Sequence, residues 1–414
     1  MKNLLICFLA LAATVLAQQS AMVDSKPGAL PMLSTTAGFS VDEEIQIAKA
    51  AIAKSPDHPS GYVALAMAEC KQAREKYDSG YYNHADAQIE RALKLGPDNF
   101  EAQKARVTVL LGRHEYAHAL ELAEGLNRRT PDDLVVYGMI FDAAMQLGDY
   151  DKAENAGQWM LRLRPGNIPA FERAAEFRQI TGDNDGAVRL WKLALDSTAD
   201  TDYFDRARML AQMAQAYQSS GRLAEAIEVS RQALSVDAAS YDALLMASQL
   251  ELLQSDSAKA AQFARDAYKV APGVRHLYQF ASALDRAGSH DEAKSLFAEF
   301  EKKAVAQGSS PDNANRELIF YYADHANRPA DALRIATQEV VARHDVRTLD
   351  AYAWALYKNG KYAEARKQIE RVFAVGIIDP SMLRHAGEIE TKLGETAKAK
   401  SYFEQASQLV HATT

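Results

Sequence analysis

Cysteine is nearly absent: 414 residues contain two, Cys7 and Cys70. Cys7 lies in an apolar N-terminal stretch, so Cys70 stands alone beyond it, and a single thiol closes no intramolecular disulfide. Cys7 follows Ile6 rather than a small residue and comes too early for a lipid-bearing cysteine. Excess positive charge is also missing. Asp and Glu number 55 against 47 Lys and Arg, the formal charge is −8, and the two signs are interspersed. That excludes the basic stripe needed to neutralise phosphates, so nucleic acid is not a predicted partner. None of the eleven Asn residues opens an Asn-x-Ser/Thr sequon, which favours a bacterial envelope over a eukaryotic secretory route. Beyond Leu16 no apolar run approaches the ~20 residues a membrane-spanning helix needs. No Gly-x-Ser-x-Gly elbow and no phosphate-binding glycine loop occurs, and no cofactor is expected.

What is present points to packed helices. Apolar residues make up 48% and charged residues 25%, the balance of a folded chain. Alanine dominates the apolar set, has the best helix propensity and lets helix axes approach closely. The start reads as a leader. Lys2 supplies the positive charge, Leu4 to Leu16 the apolar segment, and Val15-Leu16-Ala17 a cleavage site, which makes 1–17 an expected signal peptide and the protein periplasmic or secreted. Residues 18–39 are rich in Gln, Ser, Thr, Pro and Gly and are expected to form a flexible linker. A capping box, Ser40-Val41-Asp42-Glu43, opens an N-terminal capping helix assigned to 40–59.

The decisive feature is self-similarity. A turn residue, often Gly, precedes an alanine by five positions, as in Gly80 and Ala85, Gly148 and Ala153, or Gly360 and Ala365. The anchors are Ala85, Ala119, Ala153, Ala187, Ala226, Ala260, Ala293, Ala332, Ala365 and Ala399. Their intervals are 34, 34, 34, 39, 34, 33, 39, 33 and 34 residues. Pro97, Pro131, Pro165 and Pro272 stand twelve residues after an anchor and end the unit, because proline cannot continue a helix. Upstream stripes such as Leu210, Met213, Ala214 and Tyr217 give each unit a second amphipathic helix. Each unit is therefore helix, turn, helix, turn.

Over residues 60–413 this pattern resembles the tetratricopeptide repeat family. The resemblance implies an all-α, right-handed superhelical solenoid of about ten helix pairs, with the first helix of each pair lining a concave groove where ligands sit. The two 39-residue intervals, around Asp196–Asp205 and Ala304–Asp312, are expected to be longer loops on one edge. The stretch from Asn313 to Gly387, through Arg316-Glu317-Leu318, Tyr322-Ala323-Asp324-His325 and Ala353-Trp354-Ala355-Leu356-Tyr357, is also similar to a group of exported stand-alone bacterial repeat proteins with no assigned activity.

One string competes with the repeat. His114-Glu115-Tyr116-Ala117-His118 is a literal H-E-x-x-H, which on a helix would put His114 and His118 on one face for zinc and make the chain a zinc hydrolase. The repeat already requires Tyr116 and Ala119 at those places, Glu121 and Glu124 stand where a longer zinc pattern needs other residues, and the expectation is no enzyme and no metal.

The register implied by the resemblance turns Tyr278, Asp285, Arg286, Glu317, Tyr321, Asp324 and His325 toward the groove, followed by Arg347, Asp350, Trp354, Tyr357, Lys358, Arg384 and Glu388. The N-terminal half contributes Asp142, Glu172 and Glu176. Aromatics interleaved with both charge signs suit a peptide or protein ligand. The expected function is a protein-interaction scaffold, with a groove for a glycan or small molecule as the alternative. The last helix carries Tyr402, Phe403, Leu409 and Val410 close to the end of the sequence, and is expected to self-associate or be covered by a partner.

Overall fold

The structure, a computed structural model, describes residues 39–76, 78–308 and 313–410. The expected leader and, apart from Phe39, the expected linker lie outside the described residues. Among the described residues there are 21 α-helices and no strand. Helix α1 (Val41–Lys54) stands outside the pairs and packs its Val41, Ile45 and Ala48 on Leu65 and Ala68 of the next helix. Ten helix pairs follow: α2 (Pro59–Lys76) with α3 (Gly80–Leu95), α4 (Phe100–Gly112) with α5 (Tyr116–Arg129), and α6 (Leu134–Leu147) with α7 (Tyr150–Leu163). Next are α8 (Ile168–Ile180) with α9 (Asn184–Ser197), α10 (Tyr203–Ser219) with α11 (Leu223–Val236), and α12 (Tyr241–Leu253) with α13 (Ser257–Val270). In the seventh and eighth pairs, α14 (Val274–Arg286) joins α15 (His290–Gln307), and α16 (Asn315–Phe320) runs into a π-helical turn (Tyr321–His325) before α17 (Pro329–Ala342). The series closes with α18 (Val346–Lys358) and α19 (Tyr362–Ala374), then α20 (Pro380–Lys392) and α21 (Thr396–Val410).

Local chemistry sets these boundaries. First helices begin on short polar side chains that accept from backbone N–H groups otherwise left without partners: Asn99 from Ala102, Asp133 from Val135 and Val136, Asn167 from Ala170, and Asp379 from Ser381 and Met382. In repeats 2–10 the chain reverses between the two helices through one left-handed residue. It is glycine at 148, 182, 221, 288, 360 and 394, and His114, Ser255 and Asn327 take the same conformation in the other three. Five residues on, every anchor alanine lies in a second helix, at most 4% exposed, where only a small side chain lets the two axes meet.

No pair buries its own apolar face. One cluster joins Val107 and Leu110 of α4 to Ala119 and Leu126 of α5, Phe141 of α6 and Ala153 of α7. Another runs from Ala175 through Trp191 and Met209 to Leu250. Consecutive first helices touch one another, as α4 does α6 and α18 does α20, so the first helices form the inside of the curve. The 39-residue intervals are only partly loops. In the first, the connection 198–202 is followed by a 17-residue α10; in the second, α15 itself extends to 18 residues. The first pair is likewise long in helix, with 18 residues in α2 and 16 in α3.

The coil closes on itself. From Val41 onward the chain is one compact unit, and the inter-helix turns of repeats 2–5 rest on the second turn, five or six repeats further along, the last of them on the end of α21. At the turn of repeat 2, His114 meets Arg275, with His114 Nδ1 and the Arg275 guanidinium 3.1 Å apart. At repeat 3 the Val346 N–H donates to the Tyr150 hydroxyl oxygen (3.0 Å) and Arg343 donates to Gln146 Oε1 (3.3 Å). At repeat 4, Gly182 lies so close to Gly376 that a Cβ on it would stand 2.2 Å from the Gly376 carbonyl oxygen. At repeat 5, Gly221 faces Gln408 and Leu409 of α21. Tyr150 and Ile180 add apolar contact, packing against the cluster of Val346, Leu349 and Ile377.

This seam changes the reading of the last helix. Tyr402 stacks on Phe373 with centroids 5.5 Å apart, Phe403 fills the space beside Gly387, and α21 also touches α10 of the first turn. Part of the apolar surface expected to need a partner is therefore covered by the chain's own fifth, ninth and tenth repeats.

Candidate functional site

Across the interior the first helices of the two turns face each other, and most of their charges are paired. In the first turn Arg173 donates to Asp142 (Nε to Oδ1, 2.8 Å) and Arg208 reaches Glu172. Glu176 is solvent-accessible yet hemmed in by the coil; burial raises its carboxyl above the usual range, the nearby Asp142 adds to this, and Arg347 from the second turn pulls the other way. The acidic residues expected on this half thus belong largely to a structural ion-pair lattice.

In repeats 7–10 the expected residues converge, in three arrangements. The first centres on Trp354, which is 8% exposed. Its indole N–H donates to both Asp324 carboxylate oxygens (2.9 and 3.1 Å), and its ring lies between Tyr357 and His385 at centroid distances of 4.7 and 4.2 Å. Lys358 pairs with the same Asp324 (2.9 Å) and stands 4.8 Å from the Trp354 ring centroid. The π-helical turn of α16 carries Asp324, and such widened turns often mark functional positions. Tyr357 donates to Glu388 (3.1 Å) and Asp350 meets His385 (2.8 Å).

The second arrangement is a packed seam. Tyr321 turns toward α15, stacking on Phe297 at 5.4 Å and donating to Glu301 (3.3 Å), while Phe297 and Tyr278 flank His325. His325 is 3.5 Å from Asp285. Tyr321 and Trp354 are therefore mainly packing residues between neighbouring repeats, not free aromatic contacts in the groove.

The third is a set of arginines without acidic partners. Arg286 donates to the Ser282 carbonyl (3.3 Å) and Arg384 to the Ser381 hydroxyl (3.4 Å). Among the described residues neither they nor Arg347 meets a carboxylate within ion-pair distance, and all three are exposed. Burial pushes the Arg286 guanidinium below its usual range, and the charge of Arg384 adds to the shift. Repeats 7 and 10 thus present two arginines without an ion-pair partner, and an anionic group held against them would supply one.

Sequence reasoning passed over His385. It sits beside Arg384 on α20, and a register error of one residue, about 100° around a helix, moves a side chain from the open groove into the packed wall. Burial opposes its charge, but the charge and hydrogen bond of Asp350 outweigh burial and hold its pKa above the usual range. The sign follows. A raised folded-state pKa contributes stability that is fully present below the unfolded value of about 6.5 and lost as pH rises through the folded value. Urea midpoints are therefore expected to fall as pH rises above about 6.5, and His385→Gln is expected to flatten that slope.

The H-E-x-x-H string straddles a turn. His114 has φ 61° and Glu115 precedes the first residue of α5, so the two imidazoles do not share a helical face. Glu115 pairs with Arg113 (2.9 Å) and His114 stacks on Tyr116. No group of three metal-ligating side chains occurs among the described residues. Cys70 is buried in α2, and burial pushes its thiol up to about 12, out of reach of thiolate chemistry.

Two tetratricopeptide repeat family models match the chain, at residues 207–240 and 351–409. No curated protein matches it. Among solved structures, a thermophilic tetratricopeptide repeat protein of Thermus thermophilus is 24% identical, aligning over 45% of this chain and 99% of its own with a TM-score of 0.40. The human IFIT1 dimer with PPP-AAAA is 14% identical over 90% of this chain and 91% of its own, with a TM-score of 0.48. Yeast Tom70 is 15% identical over 90% and 89%, with a TM-score of 0.41. Among the described residues no helix is long and apolar enough to cross a membrane.

Proposed function

The chain is a tetratricopeptide repeat protein, and from that premise we propose that it holds an extended, acidic polypeptide segment against the inner face of repeats 7–10. Repeats of this family generally build non-enzymatic interaction scaffolds. The observation that carries the finer reading is the pair of exposed arginines, Arg286 and Arg384, left without carboxylate partners in an interior where Arg173, Arg208 and Arg316 all have one. A carboxylate from a ligand completes the pattern, and guanidinium groups hold carboxylates in two-point geometry. Trp354 is too buried to serve as a stacking platform, which disfavours a glycan. With the leader-like segment at 1–17, the reading extends to a scaffold working in the cell envelope or outside the cell.

Affinity capture from the envelope tests it, comparing the wild type with Arg286→Ala/Arg384→Ala. Both side chains are exposed, so the variant is expected to keep its helices, as circular dichroism checks. Truncating a hot-spot residue costs about 2 kcal/mol or more, so the captured polypeptide should be lost from the variant. Equal recovery by both forms removes the groove assignment.

A further inference from the structure

The seam between the two turns shows what the edges of this solenoid accept. The turn edge, carrying the reversal between the helices of each pair, packs in repeats 2–5 against the loop edge, carrying the connections between pairs, in the second turn. Two edges remain without a covering layer: the loop edge of the first turn and the turn edge of the second.

Each free edge matches the covered one of its kind. On the second turn, Gly288, Gly360 and Gly394 keep the left-handed turn conformation, with φ 84°, 74° and 78°, and no atom lies within 4 Å of where their Cβ would stand. At Gly148 and Gly182 the same position is occupied by backbone of the facing connection, at 2.5 and 2.2 Å. On the first turn, Leu95 closes α3, Val135 and Tyr203 stand at the starts of α6 and α10, and Trp159 and Leu193 lie one turn before the ends of α7 and α9, with exposures of 42%, 52%, 59%, 46% and 47%. They flank four successive connections, from the one before α4 to the one before α10.

We propose that a second copy of this chain occupies the free loop edge, seating the turns of its repeats 6–9 on the connections of repeats 1–5 and repeating between molecules the seam made within each one. At the register of the internal seam, the turn at Gly288 meets the connection before Val135, and the turn at Gly360 meets the one before Tyr203. The two surfaces differ, so the contact is head to tail and does not close; copies add coaxially and their interiors join end to end. The inference is independent of what occupies the groove.

Sedimentation velocity on the full chain across a concentration series is the test. The wild type is expected to show a sedimentation coefficient that rises with concentration and does not stop at a dimer. A loop-edge variant, Val135→Glu/Tyr203→Glu, and a turn-edge variant, Ser289→Glu/Lys361→Glu, should each lose this dependence. Mixed in equal amounts they should form a dimer and nothing larger, because each retains one of the two complementary edges. A wild type that stays monomeric up to its solubility limit overturns the proposal. So does association that both variants preserve, or a mixture that forms no dimer.

Discussion

Gly182→Ala is expected to destabilise the chain by about 2–5 kcal/mol, of which ~1–2 comes from a Cβ in left-handed backbone and ~1–3 from overpacking. Gly394→Ala supplies the reference. Its φ of 78° is close to the 83° of Gly182, but open space surrounds it, so it should lose about 1–2 kcal/mol from the backbone alone. The overpacking at Gly182 is directed at the Gly376 carbonyl, a backbone atom that no side-chain rotation moves aside. Gly376 is equally confined, at φ 101° with its Cβ position 2.5 Å from the Thr181 carbonyl oxygen. Relief requires the two turns to part. The check is urea unfolding of both variants with small-angle scattering of the folded states. Gly182→Ala should also enlarge the radius of gyration, and equal stability losses at 182 and 394 would show that the seam contributes nothing.

Trp354→Ala is expected to cost about 3–5 kcal/mol, the range for removing a large buried aromatic side chain. The indole fills the space between Tyr357 and His385, and its N–H satisfies Asp324. Trp354→Phe keeps the stacked ring and removes the donor to a charged acceptor, so a smaller loss of about 1.5–3 kcal/mol is expected. Lys358 remains beside Asp324 in both variants and keeps its charge paired. Chemical denaturation of the three proteins measures the order. Loss of a partner in Trp354→Ala would report unfolding of the wall, which is why the exposed Arg286 and Arg384 are the better probes of binding.

How much of this was legible beforehand differs by level. The repeat was fully visible, because a helix pair needs a small residue at its crossing and a left-handed residue at its turn, and both needs recur at fixed spacing. Ala226 and Gly221 record the same constraint as Ala399 and Gly394. The seam was invisible for the same reason. Gly182 and Gly394 satisfy one local rule, and nothing within a repeat distinguishes the glycine pressed against another turn from the one in water. What brings the turn at Gly182 onto Gly376 is the accumulated rotation of about six repeats, a sum of small crossing angles that no single motif encodes. The site was legible in its chemistry and less so in its exposure. The charged and aromatic residues of α14, α16, α18 and α20 do converge. Whether each faces ligand or neighbour depends on a rotation of about 100° per residue, finer than the register read from alanines. Tyr321 and Trp354 fell on the packed side, and His385 entered the network beside Arg384.

The contact of Tyr150 with Val346 and of Gly182 with Gly376 ties together residues nearly two hundred positions apart. An open array of repeats unfolds piecemeal, each unit answering only to its neighbours. Here the ends of the first turn are bolted to the second, so fraying at the C-terminus withdraws support from the middle of the chain. Loss of α21 exposes the turn at Gly221, and with it the next contact in the seam. Such a molecule behaves less like a spring than like a closed clasp. The seam adds long-range contacts to an array whose other contacts are local, so its melting is expected to be more cooperative than that of an open array.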